Sequence, residues 1–467
     1  MSLLVTKFGG TSVGNATAIE SVVAITRAQQ SQWDHIIVVV SAMSGVTDML
    51  IQGARTAASG DSDTYRSIGA TLRAKHATTL TELIGESEQT TSVRADIELL
   101  IDEFELLCRS VCVLGEASPR ALDAISGLGE QMSVRIVAAT FRAHGIPAEA
   151  VDATEVVVTT NHFGNAEPLR QQTRERAQLR LRPLIDQGII PVITGYIGAT
   201  EHGVRTTLGG RGGSDYSGAL LGAVLDADEV MIYTDVDGVM TTDPRLTAQA
   251  RVIPLLAYTE MGELAYFGAK VLHPRAVRPI VEQNIPLRIR NTFNPTHPGT
   301  LVVRQVDPDG RAVKAVTAIR GMSLITVEGR GMIGVPGVAA RTFGAVASVG
   351  ANVLMISQAS SEQSICFVVP TSVSGAVIGS LETGLGAELT QRDIDNIWAR
   401  DGVVIVTAVG AGMREKPGVA SQVFGALANQ HINVIAIAQG SSECAISIVV
   451  SGADGDAAIR AIHALTI

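Results

Sequence analysis

The sequence has few aromatic residues, few cysteines and no cluster of basic residues. Phe, Trp and Tyr make up 4% of its 467 residues, there are four cysteines, and the formal net charge is −10 at pH 7. Binding to nucleic acid through phosphates needs clustered positive charge, so we expect no nucleic-acid partner. The low cysteine content favours reduced, mostly buried thiols in a cytosolic protein over a disulfide framework.

The sequence also lacks long hydrophobic runs. No stretch of about 18 apolar residues is present, so we expect no transmembrane helix. The N-terminus, MSLLVTKFGG, resembles neither a signal peptide nor an arginine-rich transit peptide, and we expect a cytoplasmic protein. Cys108 and Cys112 stand four apart in a helical stretch and could share a metal, but no His/Cys pair follows at zinc spacing. We therefore predict no metal-ligating residues.

The sequence is rich in small and β-branched residues, a composition typical of α/β proteins. It contains 47 glycines and is 46% hydrophobic, and its length suggests two or three domains. A short apolar run at 3–5, a glycine turn, a helix from about residue 15 and a β-branched run at 36–40 predict a βαβ unit. Residues 61–114 predict a helical insertion, and strand patterns return at 189–193 and 230–233.

The first glycine turn carries a lysine. In Lys7-Phe8-Gly9-Gly10, a strand ends at the lysine and a helix follows the glycines. Glycines expose backbone N–H groups, and a helix N-terminus favours anions, so the pattern suits a phosphate. A plain βα turn with a surface lysine explains the segment equally well. No G-x-x-x-x-G-K-[ST] motif occurs, so the chain is not a P-loop protein.

A second glycine-rich stretch surrounds Arg211. Residues 208–215 read Leu-Gly-Gly-Arg-Gly-Gly-Ser-Asp and lead directly into a helix. An arginine among backbone donors can clamp a carboxylate or a phosphate in bidentate fashion. Asp215 could simply cap the helix, but capping does not explain the glycines and Arg211. We therefore favour a ligand site.

Two further patterns are weaker. Thr234 and Asp235 follow a predicted strand, where α/β sheets bind nucleotides at carboxyl ends of strands. Residues 329–334 match G-x-G-x-x-G, but no acidic residue follows about 20 positions on, and the pattern is lost in the repeat described next. A dinucleotide site is therefore not expected, and a small-ligand loop fits the segment better.

The last third of the chain contains an internal repeat. Residues 331–370 align without gaps onto 412–451, and 20 of the 40 positions are identical. Each copy predicts a strand, a Gly/Pro loop, a helix, and then two strands joined by a polar turn. The helix that begins after Pro336 offers free N–H groups to a carboxylate, although a purely structural repeat is the alternative. Candidate effector-binding residues are Gly337, Val338, Ala339, Asn352, Gln358, Asn433 and Gln439.

Together these motifs resemble those of the aspartate kinases in the amino-acid kinase family. The matching segments are Lys7-Phe8-Gly9-Gly10-Thr11-Ser12, Ser44-Gly45-Val46-Thr47, Gly129-Glu130-Gln131-Met132-Ser133, Arg211-Gly212-Gly213-Ser214-Asp215 and Phe267-Gly268-Ala269-Lys270-Val271-Leu272-His273-Pro274. The repeat resembles tandem ACT domains. Its sequence, with Gln-Gly-Ser-Ser-Glu at 439–443, looks closest to the kinase portion of bifunctional aspartokinase–homoserine dehydrogenases. Because the sequence ends at residue 467, we expect the dehydrogenase to be absent.

The resemblance implies a fold and a domain order. We expect an amino-acid-kinase-type three-layer αβα sandwich at 1–300, followed by two ferredoxin-like ACT units (βαββαβ) at 321–395 and 401–467. In related enzymes an early strand of the second unit precedes the first, and residues 313–319 are the candidate here. Dimers or tetramers formed through the ACT units are expected, since half of so small a sheet would otherwise be an open edge.

The resemblance also implies roles for individual residues. Lys7 and Asp215 are expected to be catalytic, with Asp215 orienting a lysine or the substrate. The ATP site is expected to comprise Lys7, Phe8, Gly9, Gly10, Thr234, Asp235, Met240, Arg245, Lys270 and Val271, and the aspartate site Thr47, Glu130, Arg211 and Ser214. Met240 stands where relatives often carry Tyr, so any contact there must come from backbone or apolar packing.

The implied activity is ATP- and magnesium-dependent phosphorylation of the β-carboxylate of L-aspartate. We expect feedback inhibition by an amino-acid effector, with threonine as first choice and lysine as second. Kinases acting on glutamate, acetylglutamate, carbamate or UMP would share the glycine loops, but the segment at 267–274 and the tandem repeat argue against them. A non-catalytic amino-acid sensor with a degenerate kinase domain is the remaining alternative, and intact Lys7, Arg211, Asp215 and Lys270 argue against it.

Overall fold

The computed structural model describes residues 2–209, 212–269, 272, 274–306, 312–332, 335–358, 363–414, 416–440 and 442–466. These residues form two compact units. The first comprises residues 1–239, 254–258 and 272–305, and the second comprises 240–253, 259–271 and 306–467. No helix within the described ranges combines the length and the apolar character that crossing a membrane requires.

The helices and strands up to residue 303 include a run of five helices between the second and the third strand. Their bounds are β1 Leu3–Phe8, α1 Ala16–Gln29, β2 His35–Val40, α2 Val46–Ala58, α3 Ser62–Ile84, α4 Glu88–Leu114, α5 Pro119–Ser126, α6 Leu128–Ala143, β3 Ala148–Val151, β4 Val158–Thr159, α7 Arg170–Asp186, β5 Ile190–Thr194, β6 Ile197–Thr200, β7 Arg205–Thr207, α8 Gly213–Val224, β8 Glu229–Thr234, β9 Leu255–Ala257, α9 Tyr258–Tyr266, α10 Pro274–Gln283, β10 Leu287–Asn291 and β11 Thr300–Val303.

An eight-stranded sheet forms the centre of the first unit, in the order β3-β5-β2-β1-β8-β10-β11-β9. The first six strands in this order, from β3 at the edge to β10, run parallel to one another. Strand β11 pairs antiparallel with β10. The continuous β-branched and aliphatic runs of β1 and β2 are buried, as strands covered on both faces require. One face carries a core shared with α1, α2, α3, α4 and α6, and α8 packs against β1 and β8.

The helical insertion predicted at 61–114 is confirmed as the hairpin of α3 and α4. Asp61 and Ser87 cap the two helices by accepting hydrogen bonds from backbone N–H groups in their first turns. Cys108 lies buried on the core side of α4, and burial raises the pKa of its thiol to about 12. Cys112 is only half-buried, so the expectation of mostly buried thiols holds for Cys108 and Cys444 but not for Cys112 and Cys366.

The second unit contains a six-stranded antiparallel sheet in the order β13-β14-β12-β15-β17-β16. Its elements are β12 Ala315–Glu328, α11 Val338–Ser348, β13 Met355–Gln358, β14 Ser364–Pro370, α12 Thr371–Gly384, α13 Gly386–Gln391, β15 Asn396–Val409, α14 Val419–Ala428, β16 Ala436–Gln439, β17 Ala445–Ser451 and α15 Gly455–His463. The predicted α/β class, with a parallel-sheet unit followed by an ACT-type antiparallel sheet, is confirmed.

Two long strands join the halves of this second sheet. The first part of β12, from Ala315 to Ile319, pairs with the last part of β15, and the register shifts between Ile319 and Met322. The remainder of β12 pairs with β14 and with the first part of β15. A strand is predicted at 313–319, and in the structure residues 315–319 form the start of β12 next to β15. The domain boundaries at 300, 321 and 401 stay predictions.

Segments 240–253 and 259–271 are held within the second unit by buried polar contacts. Lys314 Nζ lies 3.2 Å from Glu260 Oε2, and both side chains are buried. Glu260 Oε1 accepts a hydrogen bond of 2.6 Å from the backbone N–H of Ala411. Thr241 Oγ1 lies 2.8 Å from Nε2 of His463. These two segments therefore belong to the same compact unit as the later antiparallel sheet, although they precede it in sequence.

Candidate functional site

The carboxyl ends of β1, β2, β5 and β8 meet at one edge of the parallel sheet. The residues after these strands surround a cleft of about 480 Å³. This is the position at which open parallel sheets bind ligands. The residues that line it are Lys7, Gly9, Gly10, Thr11, Ser41, Ala42, Met43, Ser44, Gly45, Thr47, Asp48, Glu130, Tyr196, Gly212, Gly213, Ser214, Asp215, Thr234 and Asp235.

Lys7 and Asp215 form an ion pair in this cleft. Lys7 Nζ lies 2.6 Å from Asp215 Oδ1, and the side chains are 9% and 15% exposed. Lys7 is the second-last residue of β1, and Asp215 lies in the first turn of α8. A paired lysine is held in one position by its partner, so it is available at a fixed place in the cleft.

Backbone donors line the same cleft. Gly9 and Gly10 form the turn after β1, and a Cβ on Gly10 would lie only 3.1 Å from the carbonyl oxygen of Ala42. The N-terminal turns of α2 and α8 also border the cleft, each preceded by a glycine in the left-handed region: Gly45 with φ 79° and Gly212 with φ 93°. The free N–H groups and dipoles of two helix N-termini favour an anionic ligand.

Glu130 lies buried at the wall of the cleft, in the first turn of α6. Glu130 is 3% exposed, and its Oε1 accepts a hydrogen bond of 3.1 Å from the backbone N–H of Ala42. Oε2 has no hydrogen-bond partner among the described residues. Burial raises the pKa of this carboxyl to about 8, and the charge of Lys7 opposes the rise. A cationic group entering the cleft would find an acceptor that is ready to ionise.

The structure brings together most of the predicted catalytic-domain residues. Thr47 on α2 and Ser214 on α8 line the cleft with Lys7, Gly9, Gly10, Glu130, Asp215, Thr234 and Asp235. Thr234 Oγ1 donates to Asp235 Oδ1 over 3.1 Å. Phe8 differs, because its side chain is fully buried and stacks on Tyr233 with ring centroids 4.7 Å apart. Any contact from Phe8 to a ligand must therefore come from its backbone.

Two predicted nucleotide-site residues are placed elsewhere. Met240 and Arg245 are not among the described residues that line the cleft. Both lie in segment 240–253, which belongs to the second unit. Arg245 is 79% exposed and pairs with Asp243 over 2.6 Å. Arg211, Lys270 and Val271 lie outside the described residues.

The sequence interpretation missed several cleft residues. Ser41, Met43 and Asp48 follow the carboxyl end of β2, which is a strand end of the same kind as those that were considered. Tyr196 follows β5 and has φ 65°, a conformation that is uncommon for residues other than glycine. Burial raises the pKa of the Tyr196 hydroxyl. The signal that could have found Ser41, Met43 and Tyr196 is their place within three residues of the end of a parallel strand, whereas Asp48 lies in the first turn of α2.

The cleft contains carboxylates but no ready-made metal site. No group of three or more His, Cys, Asp or Glu side chains among the described residues could hold a metal ion. Asp215 and Asp235 are both in the cleft and offer oxygen donors. Magnesium commonly binds through one or two carboxylates together with substrate phosphates and water, so this donor set fits a metal that arrives with a nucleotide.

The candidate effector residues lie in the second unit, in corresponding places of the two repeat copies. Gly337 precedes α11 with φ 88°, and Val338 is buried while Ala339 is exposed. Asn352 and Asn433 are exposed before the edge strands β13 and β16, and Gln358 and Gln439 are exposed at the ends of those strands. Asn352 with Gln358, and Asn433 with Gln439, therefore offer amide groups at the two edge strands of the sheet order.

Comparison with known proteins identifies two families of domain in this chain. The profile of the amino acid kinase family matches residues 2–291, and the ACT domain profile matches residues 325–384 and 406–465.

Similar curated proteins are aspartokinases, alone or as part of a longer chain. Bifunctional aspartokinase/homoserine dehydrogenase 1 of Arabidopsis thaliana is 39% identical over 99% of this chain and 51% of its own length. Lysine-sensitive aspartokinase 3 of Escherichia coli is 30% identical over 99% of this chain and 98% of its own length. The chain thus spans about half the length of the bifunctional relatives it matches.

A solved structure with a similar fold is that of E. coli aspartokinase III in complex with aspartate and ADP, in the R state. It is 29% identical, covers 99% of both chains and has a TM-score of 0.81. The same protein in complex with lysine and aspartate, in the T state, gives a TM-score of 0.77 with 30% identity and 99% coverage of both chains.

Proposed function

The chain belongs to the amino acid kinase family, among the aspartokinases, and we propose that it transfers the γ-phosphoryl group of ATP to the β-carboxylate of L-aspartate. The observation that carries this proposal is the cleft in which the Lys7–Asp215 ion pair, the glycine turn after β1 and buried Glu130 face one space. This arrangement supplies a cation, backbone donors and an acceptor for an amino group. Those are the contacts that ATP phosphates and an amino acid require.

The nucleophile is the β-carboxylate of aspartate, which is already ionised at neutral pH and needs no general base. One of its oxygens bonds to the γ-phosphorus while the bond to the β,γ-bridging oxygen breaks, and ADP leaves. Two anions must be aligned and their charge neutralised, so positioning and electrostatics carry the catalysis. Lys7 and the N–H groups at Gly9 and Gly10 stabilise the transferred group, each such contact contributing roughly 2–4 kcal/mol.

The substrate's α-ammonium is the proposed partner of Glu130. The unpartnered Oε2 and the raised pKa of this carboxyl both support the assignment. Ser214 and Thr47, at the N-termini of α8 and α2, offer donors to the substrate carboxylates. Arg211, which lies outside the described residues, is proposed from the family motif to hold the α-carboxylate.

Magnesium is proposed as the accompanying metal. Asp215 and Asp235 are the residues that would hold it together with ATP phosphate oxygens. When bound, the metal supplies neutralising charge at the phosphates. Added positive charge is needed in this cleft, because Lys7 is outnumbered there by the acidic side chains of Asp48, Asp215 and Asp235.

An assay of ADP release separates this function from the related ones. Purified chain with ATP and magnesium is given L-aspartate, L-glutamate, N-acetyl-L-glutamate, carbamate or UMP in turn. We expect ADP release when L-aspartate is the acceptor and with none of the other four acceptors. Release with another acceptor but not with aspartate would assign a different kinase activity, and no release with any acceptor, together with amino-acid binding, would favour the non-catalytic sensor.

Feedback inhibition by an amino acid is proposed for the second unit, with threonine first and lysine second. The two ACT-type halves and the amide residues at their edge strands support this. Aspartokinase III of E. coli was solved in complex with lysine and aspartate. Threonine is placed first because the repeat resembles that of the bifunctional aspartokinase–homoserine dehydrogenases. Calorimetric titration with threonine, lysine and methionine tests the proposal, and absence of binding by all three would remove it.

Association through the second unit and a cytoplasmic location are also proposed. Ile356 and Ile437 are 50% and 45% exposed on the edge strands β13 and β16, where unpaired strand edges invite a partner. The relatives from Arabidopsis thaliana and Zea mays are named chloroplastic, so location is tested directly by imaging the tagged protein in its own cells.

A further inference from the structure

Helix α4 exposes three large apolar side chains on one line. Leu99, Leu106 and Val113 are 69%, 63% and 81% exposed. They are seven residues apart, and positions seven apart on an α-helix fall within about 20° of one another. The three side chains therefore form a single stripe, called the α4 stripe below.

The α4 stripe lies opposite the buried face of its own helix. The residues of α4 that face the core are Thr90, Val93, Ile97, Leu100, Ile101, Phe104, Cys108 and Val111. With 100° per residue, Leu106 falls about 160° from Phe104, which is fully buried. An amphipathic surface helix normally carries polar residues there. Single exposed apolar residues need no explanation, but three in a heptad row are typical of a helix–helix seam.

We propose that the α4 stripe is a self-association surface on which α4 of a second copy of this chain pairs in antiparallel orientation. With the two-fold axis beside Leu106, the two copies of Leu106 meet at the centre. Leu99 of each copy then meets Val113 of the other, because both lie seven residues from the centre. The row is thus complementary to itself, as a two-fold interface requires. Leu114, 76% exposed, extends the contact next to Leu99 of the second copy.

The charges beside the α4 stripe fit the same arrangement. On one flank Arg73 is shared by three carboxylates, Glu98, Asp102 and Glu105, at 2.6–2.7 Å, which leaves an excess of negative charge. Arg109 lies on this flank and is exposed, and it has no ion pair in the part of the chain that the structure describes. In an antiparallel two-fold pair, equal flanks face each other. Arg109 lies three residues after Leu106, and Asp102 lies four residues before it. Because the antiparallel pair reverses the direction of the second helix, Arg109 comes opposite Asp102 of the second copy.

The size of the contact sets its strength. The stripe from Leu99 to Val113 spans about 21 Å of helix at 1.5 Å per residue. Two such helices bury less than the roughly 1,200–2,000 Å² of a stable interface, so association through α4 alone should be weak and dependent on concentration. It would add a second two-fold contact to any that the second unit makes.

Sedimentation of the full chain over a range of concentrations tests the proposal. We expect Leu106→Glu to weaken one association step at least tenfold, while Leu179→Glu does not. Leu179 is the matched control, because it is 79% exposed but stands alone on α7. Equal sedimentation of Leu106→Glu and the unchanged chain would overturn the proposal. That is also the result if the stripe binds a different protein or another part of a longer chain.

A charge exchange and a cross-link test the register. Arg109→Asp and Asp102→Arg should each weaken association, and the double variant should restore it, because the pair is then reversed across the interface. With Leu106→Cys in a Cys112→Ser background, a short bis-maleimide should give covalent dimers, and Leu179→Cys in the same background should not. Failure of the double variant to recover, or equal cross-linking of both cysteine variants, would contradict the antiparallel pairing.

Discussion

The ammonium group of Lys7 lies 2.6 Å from the carboxylate of Asp215, and the pair is almost fully withdrawn from water. Gly218, one turn further along α8, makes this approach possible, because a Cβ there would lie 3.1 Å from the Cβ of Lys7. Strand β1, which leads into the glycine turn, and helix α8 are therefore fixed to each other in the cleft.

Replacing Lys7 should lower both turnover and stability. We expect Lys7→Met to reduce kcat at least 10²–10³-fold, the range seen when one preorganised electrostatic donor is lost. The change also leaves Asp215 without its partner, which costs about 3–5 kcal/mol for a buried pair. Steady-state kinetics and urea denaturation measure the two effects.

The double variant Lys7→Met/Asp215→Asn separates these two effects. It should recover most of the lost stability, since no unpaired charge remains, and recover none of the activity. A Lys7→Met protein that turns over at a near-normal rate would contradict the role given to Lys7.

Glu130 should make aspartate binding depend on pH. Its carboxyl has a pKa of about 8, so at pH 6 it is mostly protonated and cannot pair with an ammonium group. We expect the KM for aspartate to fall by up to about tenfold per unit as the pH rises from 6 towards 8, while the KM for ATP changes little. In Glu130→Gln the KM for aspartate should be higher and flat over this range. An unchanged pH profile in Glu130→Gln would exclude Glu130 as the acceptor.

The same carboxyl should lower the stability of the protein at alkaline pH. An exposed glutamate has a pKa near 4.5, and Glu130 has one raised to about 8, so the folded state holds an extra proton between these values. The free energy of unfolding should fall by at most about 1.4 kcal/mol per pH unit across this window as the pH rises. We therefore compare the free energies of unfolding of Glu130→Gln and the unchanged chain by urea denaturation. The value for Glu130→Gln minus that for the unchanged chain should be larger at pH 8 than at pH 5. Equal differences at both pH values would contradict the assigned burial effect.

Gly195 should be essential for the position of Ser214. A Cβ on Gly195 would lie 2.7 Å from the Cβ of Ser214, so Gly195→Ala must displace the first turn of α8. We expect kcat/KM for aspartate to fall 10-fold or more. Gly375→Ala on α12 is the control, because a Cβ there meets nothing within 4 Å and should leave kinetics unchanged. Equal activity of the two variants would remove Ser214 from the substrate site.

The repeat allows a matched test of the effector residues. Asn352→Ala/Gln358→Ala changes the first copy and Asn433→Ala/Gln439→Ala changes the second, and all four side chains are exposed. We expect at least one double variant to weaken effector binding tenfold or more in calorimetry, with kcat in the absence of effector unchanged. If both variants keep full affinity, the effector binds outside these amide residues.

The sequence alone predicted much of the cleft, for a physical reason. The glycine turn at Gly9 follows the parallel strand β1, and the one at Gly212 leads directly into α8, which packs against β1 and β8. Both local signals therefore end at the same cleft. Glu130 had no such signal, because a carboxylate within a helical pattern looks like an ordinary surface residue. It was predicted only through the resemblance. Burial in the folded chain raises the pKa of this carboxyl, while the hydrogen bond from the backbone N–H of Ala42 lowers it.

Other features could not be predicted locally. Its position after β5 could have placed Tyr196 near the cleft, but no residue pattern announces the positive φ with which the chain turns there. Met240 and Arg245 follow β8 closely in sequence, but β8 ends at Thr234 and residues 240–253 belong to the second unit. Thr241 contacts His463, and Glu260 pairs with Lys314. Both partners lie far along the chain, so a local pattern could not predict these contacts.

The central claim is tested most directly by following the β-carbon of aspartate during turnover. L-aspartate labelled with ¹³C at C4 is incubated with the chain, ATP and magnesium, with hydroxylamine to trap an acyl phosphate. We predict that the C4 resonance moves to that of the β-hydroxamate, in step with ADP formation and only when Lys7 is present. ADP formation with an unshifted C4 resonance, or no reaction of aspartate at all, would contradict the account.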